Sequence, residues 1–484
     1  MADTLDSLTA FVNKVDDLVW GIPLIAAILS TGILLTVMLR FRHLLHLGSA
    51  FRYVFHSGDG HHGEVTSFGA LCTALSATIG TGNIVGVATA ITTGGSGAIF
   101  WMEIAALFGM ATKYAEGLLA VKYREIAPDG RVLGGPFYYI ERGLGPKWKP
   151  LAVIFATCGV FAALLGIGTI TQINGIVSAV QRFFDPGFDP ATATNGVRIF
   201  GTAYSPSVMV AGAVVTVCVG LVVIGGLKRI AKVSMVVVPF MAVSYTAFCL
   251  LVMFGNLDKI PSAIMLVVKA AFNPAAVTGG AVGTLFVAMQ KGIARGIFSN
   301  EAGLGSEPIA AAAAKTNEPA RQGFVSMTGT FIDTTVICTM TGLTIVLSGA
   351  WDPSLKLEGV NVTIEAFTRG LSFIPGGATV VPFFLMLALA FFAFTTILGW
   401  DYYSEKCLEY LVGMHRTHII KLYRLLYVAV VAIGPYLTVS MVWGISDIFN
   451  GLMAFPNLVA LVLLSPVVAR TTRDFLSQRN DSNR

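Results

Sequence analysis

Apolar runs of about 20 residues recur along the whole chain, and this recurrence restricts the possible folds more than any other feature. A helical run of that length matches the hydrocarbon thickness of a bilayer. Hydrophobic residues make up 55% of the chain and charged residues only 12%, whereas soluble domains carry roughly 25% charged residues. The chain is therefore predicted to be an all-α polytopic membrane protein.

Eleven membrane spans are predicted, and the basic residues between them indicate the topology. The spans are 18–39, 66–93, 98–121, 151–183, 207–226, 233–255, 281–312, 323–349, 377–403, 421–441 and 446–468. The loops on one side contain 23 of the 32 Lys and Arg residues, and the loops on the other side contain 7. Because basic loops remain in the cytoplasm, we predict that the N-terminus is outside and the C-terminus is cytoplasmic.

The spans fall into two sets of five helices, which cover residues 66–256 and 281–468. Five is odd, so the second set is predicted to have inverted topology relative to the first. This 5+5 inverted repeat is the LeuT-like architecture, with one extra helix in the N-terminal segment 1–65. An outer connecting segment, 257–280, and a cytoplasmic tail, 469–484, complete the predicted organisation.

Two polar stretches on the outer side are predicted to connect spans. Apolar residues between Pro261 and Pro274 indicate a short amphipathic helix, which is either a gate or a packed surface segment. Residues 184–206, with three prolines, are predicted to form an outer loop.

The first helix of each five-helix set contains a polar, glycine-rich interruption, at residues 76–86 and 296–306. Unpaired backbone N–H and C=O groups cost several kcal/mol each in hydrocarbon. An interrupted span must therefore return these hydrogen bonds to a solute, an ion or other parts of the protein. Paired interruptions in two halves indicate the binding site of a transporter.

The first interruption contains three glycines, Gly80, Gly82 and Gly86, which permit close approach of the backbone. Glycine packing between helices would explain Gly82 and Gly86, which are four residues apart. It does not explain the neighbouring Thr81 and Asn83, so we favour an unwound binding site. Free carbonyl groups there would suit a cation, and free N–H groups would suit a carboxylate.

The second interruption adds a charged residue, Glu301, at membrane depth. A carboxylate there must face a cavity, pair with a base or be protonated. Lys291 and Arg295 lie on the same segment and are candidate partners, and a structural ion pair and a proton-coupling role both remain open. Lys113 and Glu116 lie near a cytoplasmic helix end, where solvated side chains are expected.

Polar residues also interrupt the ninth and fourth spans. Thr395 and Thr396 either return their hydroxyl groups to the preceding helical turn or provide oxygen ligands for a cation. Trp400 is one turn further along, where it forms either a pocket wall or an interfacial tryptophan. Gln172 and Asn174 indicate either interhelical hydrogen bonds or a substrate-binding wall.

The sequence lacks the motifs that are typical of other functional classes. A channel would need a repeated filter or rings of like residues, and no zincin motif, nucleophile elbow or nucleotide-binding loop is present. The six cysteines show no metal-ligand spacing. We therefore predict no enzyme activity, no catalytic residue, no organic cofactor and no nucleic-acid partner.

Five motifs together resemble the signatures of the alanine or glycine:cation symporter family, also described as sodium:alanine symporters. They are GTGNIVG at 80–86, FWM at 100–102, GMATKYAE at 109–116, GGPFYY at 134–139 and SNEAGLGS at 299–306. The resemblance extends over nearly the whole chain. It implies a LeuT-like transporter of the amino acid-polyamine-organocation superfamily.

The resemblance also implies an activity, its partners and a location. It suggests a sodium-coupled symporter that imports small neutral amino acids, alanine or glycine, by alternating access through a bacterial plasma (inner) membrane. Na⁺ would be the coupling ion, and the lipid bilayer the surrounding medium. A proton-coupled transporter of the same fold and a non-transporting amino-acid sensor remain alternatives.

Residue roles follow from the resemblance position by position. The implied substrate-binding residues are Gly80, Thr81, Gly82, Asn83, Gln172, Phe298, Ser299 and Trp400. The implied Na⁺ ligands are Ser76, Ile79, Thr395 and Thr396. A second ion site would need an oxygen ligand such as Asp333, whose position relative to the breaks does not follow from the sequence.

Overall fold

Helices make up nearly all of the structure, a computed structural model that describes residues 2–56, 63–190, 196–199, 202–272, 283–437 and 439–482. Four helices precede the first predicted repeat: α1 (Ala2–Val19), α2 (Ile22–Met38), α3 (Arg42–Leu45) and α4 (Leu47–Phe55). Pro23 lies in the first turn of α2, where its missing N–H has no intrahelical partner to lose.

The first predicted repeat contains eight α-helices and two short hairpins. The α-helices are α5 (Ser67–Thr78), α6 (Val87–Gly94), α7 (Ala98–Lys122), α8 (Pro136–Tyr138), α9 (Lys149–Leu165), α10 (Ile170–Phe184), α11 (Pro206–Val223) and α12 (Leu227–Phe254). The antiparallel hairpins pair β1 (Glu125–Ile126) with β2 (Val132–Leu133) and β3 (Val197–Ile199) with β4 (Thr202–Tyr204). The π-helical turns are Gly82–Gly86 and Tyr139–Gly143, and a 3₁₀ turn is Pro146–Trp148.

The remaining helices follow a 3₁₀ turn at Leu257–Lys259. They are α13 (Ile260–Phe272), α14 (Gly283–Asn300), α15 (Pro308–Ala312), α16 (Pro319–Thr330), α17 (Thr339–Ser348), α18 (Val360–Gly370), α19 (Gly377–Val412), α20 (Thr417–Ile433) and α21 (Val439–Ser482). A π-helical segment, Phe331–Cys338, joins α16 to α17, and 3₁₀ turns lie at Pro353–Leu355 and Gly434–Tyr436.

The predicted helical membrane architecture is confirmed. Nine helical stretches of the described chain are long and apolar enough to cross a membrane, and the bent pair α5 and α6 makes a tenth. The predicted span 281–312 corresponds to α14, a non-helical stretch and α15. It is more polar than the other spans because it carries Gln290, Lys291, Arg295, Ser299 and Asn300.

The predicted span 151–183 is not one continuous helix. It divides into α9 and α10 at residues 166–169. The Ile167 N–H donates to Ser446 Oγ at 2.7 Å as well as to the Ala162 carbonyl at 3.1 Å, and a Cβ on Gly166 would lie 1.9 Å from Ser446 Cβ. The close approach of α21 therefore requires glycine at this point, and the chain contains a third broken span.

Helix α7 is the most enclosed membrane helix, with 83% of its apolar stretch buried. It packs against α2, α14 and α16. Small residues allow this contact: a Cβ on Gly292 would lie 2.3 Å from the Ala98 carbonyl oxygen, and one on Gly323 would lie 2.7 Å from the Tyr114 carbonyl oxygen. Close glycine contacts of this kind hold helices together where hydrocarbon provides no hydrophobic driving force.

The predicted outer helix near Pro261 is present as α13, and it packs against the start of α7. The Trp101 indole donates to the Ala271 carbonyl at 3.1 Å, while Val267 and Ala270 are buried. A second connecting helix, α18, lies over the first broken span, and its Thr363 hydroxyl donates to the Ile84 carbonyl at 3.2 Å. The sequence patterns did not predict α18.

Candidate functional site

The first break is a short non-helical stretch between α5 and the π-helical turn. Helix α5 ends at Thr78, Ile79 is extended (φ −74°, ψ 95°), and the two halves of the span meet at an angle of 54°. The Gly80 N–H donates to Asn83 Oδ1 at 2.9 Å. Because the last carbonyl groups of a helix lack intrahelical donors, the end of α5 presents free oxygens beside this turn.

The Asn83 side chain joins the two broken spans. Its Nδ2 donates to Ser299 Oγ at 3.0 Å and to Asp333 Oδ1 at 2.7 Å. Ser299 Oγ in turn donates to Asp333 Oδ2 at 2.7 Å. These three residues, here called the Asn83 cluster, are all at least 99% buried.

Asp333 enters the site from the π-helical segment Phe331–Cys338. Its carboxylate also accepts a hydrogen bond from the Thr334 hydroxyl at 2.9 Å, and no basic side chain of the described residues lies within 4 Å. A buried carboxylate that is held by neutral donors favours a nearby cation. From the sequence, Asp333 was only a candidate ligand of a second ion, and its position relative to the breaks did not follow. The one sequence signal for its importance was that it is a carboxylate within an apolar span.

The two threonines among the predicted ion ligands, Thr395 and Thr396, lie on different faces of α19. Thr396 Oγ1 lies 3.5 Å from the Ile79 carbonyl oxygen, and a Cβ on Gly80 would lie 2.6 Å from the same hydroxyl. Both threonine hydroxyls donate to the Phe392 carbonyl at 3.0 Å, and Thr395 Oγ1 also contacts Met241 Sδ at 3.6 Å. Only Thr396 thus presents its hydroxyl to the break.

Ser76 lies in the last turn of α5, and its hydroxyl donates back to the Thr73 carbonyl at 2.7 Å. Its contribution to an ion site would therefore come from the backbone carbonyl. Helix α19 approaches this turn closely, because a Cβ on Gly399 would lie 2.7 Å from Ala77 Cβ. Together the carbonyl groups of this turn and Thr396 form an oxygen-rich corner of the kind that suits Na⁺.

Thr81 and Gln172 lie on facing surfaces of the first break and α10. A Cβ on Gly175 would lie 3.1 Å from Thr81 Cγ2, and Gln172 shares that face of α10 because it is three residues earlier. Gln172 Nε2 donates to the Ile167 carbonyl at 3.1 Å, while its Oε1 is buried without a hydrogen-bond partner. This oxygen is free to accept from a ligand amine.

Asn174, by contrast, joins helices. Its Nδ2 donates to the Ile170 carbonyl at 2.9 Å and to the Gly434 carbonyl at 3.1 Å. Both donor positions are therefore satisfied by backbone oxygens. Of the two alternatives for this amide, the interhelical hydrogen bond is the one observed.

Phe298 lies next to Gly82 of the first break. Its Cδ1 atom would be 3.6 Å from a Cβ on Gly82, and the Arg295 guanidinium carbon lies 5.6 Å from the centre of its ring. Because Phe298 and Ser299 are adjacent in α14, the ring lies at the edge of the Asn83 cluster. The ring is partly exposed, which is expected of a side chain that lies between a buried site and the solvent.

The second break begins later than predicted. Gly296 remains within α14, and the non-helical stretch covers residues 301–307. Glu301 has φ +56°, in the left-handed region that non-glycine residues rarely adopt. Its carboxylate accepts hydrogen bonds from Trp400 Nε1 at 3.1 Å and from the Ser306 hydroxyl.

Trp400 is fully buried and thus is not an interfacial tryptophan. A Cβ on Gly168 would lie 2.7 Å from Trp400 Cβ, so the indole ring lies between the second and third breaks. Neither candidate partner, Lys291 or Arg295, lies within ion-pair distance of Glu301. The local partners of Glu301 are neutral.

Lys113 and Glu116 are buried, and the prediction that they are solvated was wrong. Lys113 Nζ forms an ion pair with Glu307 Oε2 at 2.7 Å. Glu116 Oε1 accepts from the Gly303 N–H at 3.2 Å and from Asn457 Nδ2 at 2.6 Å. Helix α7 thus provides partners for the backbone and side chains of the second break, which periodicity alone does not reveal.

Comparisons with known proteins identify relatives of this chain. Residues 5–484 match the sodium:alanine symporter family. An uncharacterized transporter of Haemophilus influenzae is 50% identical, with 98% of this chain and 97% of the relative covered. The sodium/alanine symporter AgcS of Methanococcus maripaludis is 44% identical, with coverage of 96% and 97%.

A solved structure supports the same architecture. MhsT in complex with L-phenylalanine matches with a TM-score of 0.56 and 15% identity, covering 86% of this chain and all of MhsT. At this identity the match shows the fold only, which is the LeuT fold. The predicted LeuT-like class is confirmed.

The buried ion pair at the second break leads to a stability prediction. We expect Lys113→Met to lower the free energy of unfolding by about 3–5 kcal/mol, because Glu307 loses its buried cationic partner. The measurement is the thermal unfolding midpoint of the purified protein in detergent. The double variant Lys113→Met/Glu307→Gln should recover part of the loss, and an unchanged midpoint in the single variant would contradict the ion pair.

Proposed function

The chain belongs to the sodium:alanine symporter family, and from this premise we propose that it imports alanine or glycine together with Na⁺. Members of this family are symporters and not enzymes. The observation that carries the proposal is the Asn83 cluster, in which one side chain bonds to the first break, to Ser299 at the end of α14 and to a buried carboxylate. A small solute bound there would contact both halves of the fold.

The proposed substrate site lies along the first break. Backbone groups of Gly80, Thr81 and Gly82 with Asn83 would bind the amino-acid carboxylate and amine. Gln172, Ser299, Phe298 and Trp400 would form its walls. The buried free Oε1 of Gln172 and the partly exposed Phe298 ring support this arrangement. The narrow surroundings of Gly80 and Gly82 favour a substrate with a small side chain.

The proposed Na⁺ site uses the backbone carbonyls of Ser76 and Ile79 with the Thr396 hydroxyl. Na⁺ between α5 and α19 would hold these helices together and order the adjacent substrate site. Coupling between the two ligands is reciprocal, so Na⁺ should raise amino-acid affinity and the amino acid should raise Na⁺ affinity. Release of Na⁺ into a low-sodium cytoplasm would then favour opening to the inside.

The proposed orientation places the chain in a bacterial inner membrane with the N-terminus outside. The asymmetric distribution of basic residues supports it, because 23 of them lie on the side of the C-terminal tail. The two inverted five-helix units, 66–256 and 281–468, would then move relative to each other. The broken spans would remain the centre of that movement.

Uptake into proteoliposomes tests the function. Labelled alanine should accumulate when an inward Na⁺ gradient is imposed, and unlabelled glycine should compete with it. An H⁺ gradient without Na⁺ should drive little uptake. Accumulation driven only by H⁺ would identify the proton-coupled alternative, and binding without accumulation under either gradient would identify a sensor.

The Asn83 side chain provides the sharpest site test. We expect Asn83→Ala to reduce alanine uptake to background, because the first break loses its connection to Ser299 and Asp333. Uptake is compared at equal amounts of membrane-inserted, monodisperse protein. Thr93→Ala, an exposed change at the end of the same span, is the matched control, and normal uptake by Asn83→Ala would contradict the site assignment.

The two threonines of α19 separate the proposed ion ligand from its neighbour. We expect Thr396→Val to raise the Na⁺ concentration for half-maximal uptake about tenfold, which corresponds to about 1.4 kcal/mol. Thr395→Val should have a smaller effect, because that hydroxyl faces Met241. The measurement is alanine uptake as a function of Na⁺, and equal effects of the two variants would contradict the geometric distinction.

A further inference from the structure

A polar cavity of about 150 Å³ lies beside Phe298. Its walls come from the end of α1, the middle of α14 and the start of α21. Three acidic residues, Asp16, Asp17 and Asp447, and two basic residues, Lys291 and Arg295, line it. The volume is well above the roughly 15 Å³ that one water molecule needs, so a small amino acid has sufficient room.

The opposite charges around this cavity do not pair with each other. None of the five residues forms an ion pair within 4.0 Å with any described residue. Asp16 Oδ1 is buried and has no hydrogen-bond partner. A molecule that carries both charges could pair with the acidic and the basic groups of this cavity at once.

The helices around the cavity are in close contact. The Trp20 indole donates to the Asp447 carbonyl at 2.8 Å, which fixes the junction of α1 and α2 against the start of α21. A Cβ on Gly451 would lie 2.4 Å from Val19 Cγ1, so these helices are in close contact. The N-terminal helix outside the two repeats therefore supplies one wall of the cavity.

The position of the cavity connects it to the proposed substrate site. Phe298 is shared between the two: its ring contacts Arg295 on the cavity side and lies next to Gly82 on the other side. The following residue, Ser299, belongs to the Asn83 cluster. A solute that leaves this cavity past Phe298 would arrive directly at the first break.

We propose that this cavity is a second, weaker binding site for a zwitterionic amino acid, an inference that rests on the proposed function. Arg295 and Lys291 bind the α-carboxylate, and Asp16 and Asp447 bind the α-ammonium. A plain anion or cation would satisfy only one of these sets. The site holds the amino acid on the proposed outer side before it moves past Phe298.

Equilibrium binding of labelled alanine in the Asn83→Ala background tests this second site. That variant removes the proposed central site, and residual binding at least tenfold weaker than in the unmodified protein is expected, because charge pairs near solvent contribute only about 0.2–1 kcal/mol each. The residual binding should weaken as ionic strength rises. It should disappear in Asn83→Ala/Arg295→Gln and persist in Asn83→Ala/Lys14→Gln, which neutralises a basic residue of α1 that does not line the cavity.

Transport by otherwise unmodified protein provides a second measurement. Arg295→Gln should raise the KM for alanine uptake severalfold with little change in the maximal rate, and Lys14→Gln should leave both unchanged. If Asn83→Ala shows no residual binding while the unmodified protein transports alanine, the cavity is not a site, and any effect of Arg295→Gln belongs to a gate. If the unmodified protein neither binds nor transports alanine, the proposed function itself fails.

Discussion

The architecture depends on the break in the first broken span, and the Gly80 N–H donates a hydrogen bond to the Asn83 side chain at this break. A membrane span can leave the helical conformation only where protein groups or ligands replace the lost backbone partners. Asn83 replaces one of them, and it also bonds to Ser299 and Asp333 in the second half of the chain. The break in the first span is thus stabilised by the same side chain that holds the two broken spans together.

The other two breaks follow the same rule with different side chains. At the second break, Glu116 accepts from the Gly303 N–H and Asn457 donates to the Gly303 carbonyl. At the third break, Ser446 accepts from the Ile167 N–H and Tyr427 donates to the Gly168 carbonyl. The second and third breaks are therefore stabilised by residues distant in sequence, so their geometry depends on the packing of other helices.

Local chemistry was sufficient to predict some of these features. Glycine next to Thr81 and Asn83 indicated the first break, and Glu301 among glycines indicated the second. The helical membrane class followed from apolar runs alone. These features depend on neighbours within a few residues, which a single sequence displays directly.

Contacts between distant residues were beyond sequence reasoning. Asn83 and Asp333 are separated by 250 residues and Glu116 and Gly303 by 187, so no spacing rule brings them together. Lys113 was predicted to be solvated because it lies near a helix end, whereas its only ion partner among the described residues, Glu307, lies in the second break. The third break was missed because Gly166 and Gly168 lie in an apolar run whose interruption depends on α21.

Helix α19 contacts all three breaks within two turns. Thr396 approaches Ile79 at the first break, Trp400 donates to Glu301 at the second, and the Ile397 carbonyl accepts from Tyr427, whose hydroxyl also bonds to Gly168 at the third. A movement of α19 must therefore change the surroundings of every non-helical stretch together. Because Thr396 and Trp400 are one turn apart on a continuous helix, no flexible segment separates the contact at the first break from the contact with Glu301.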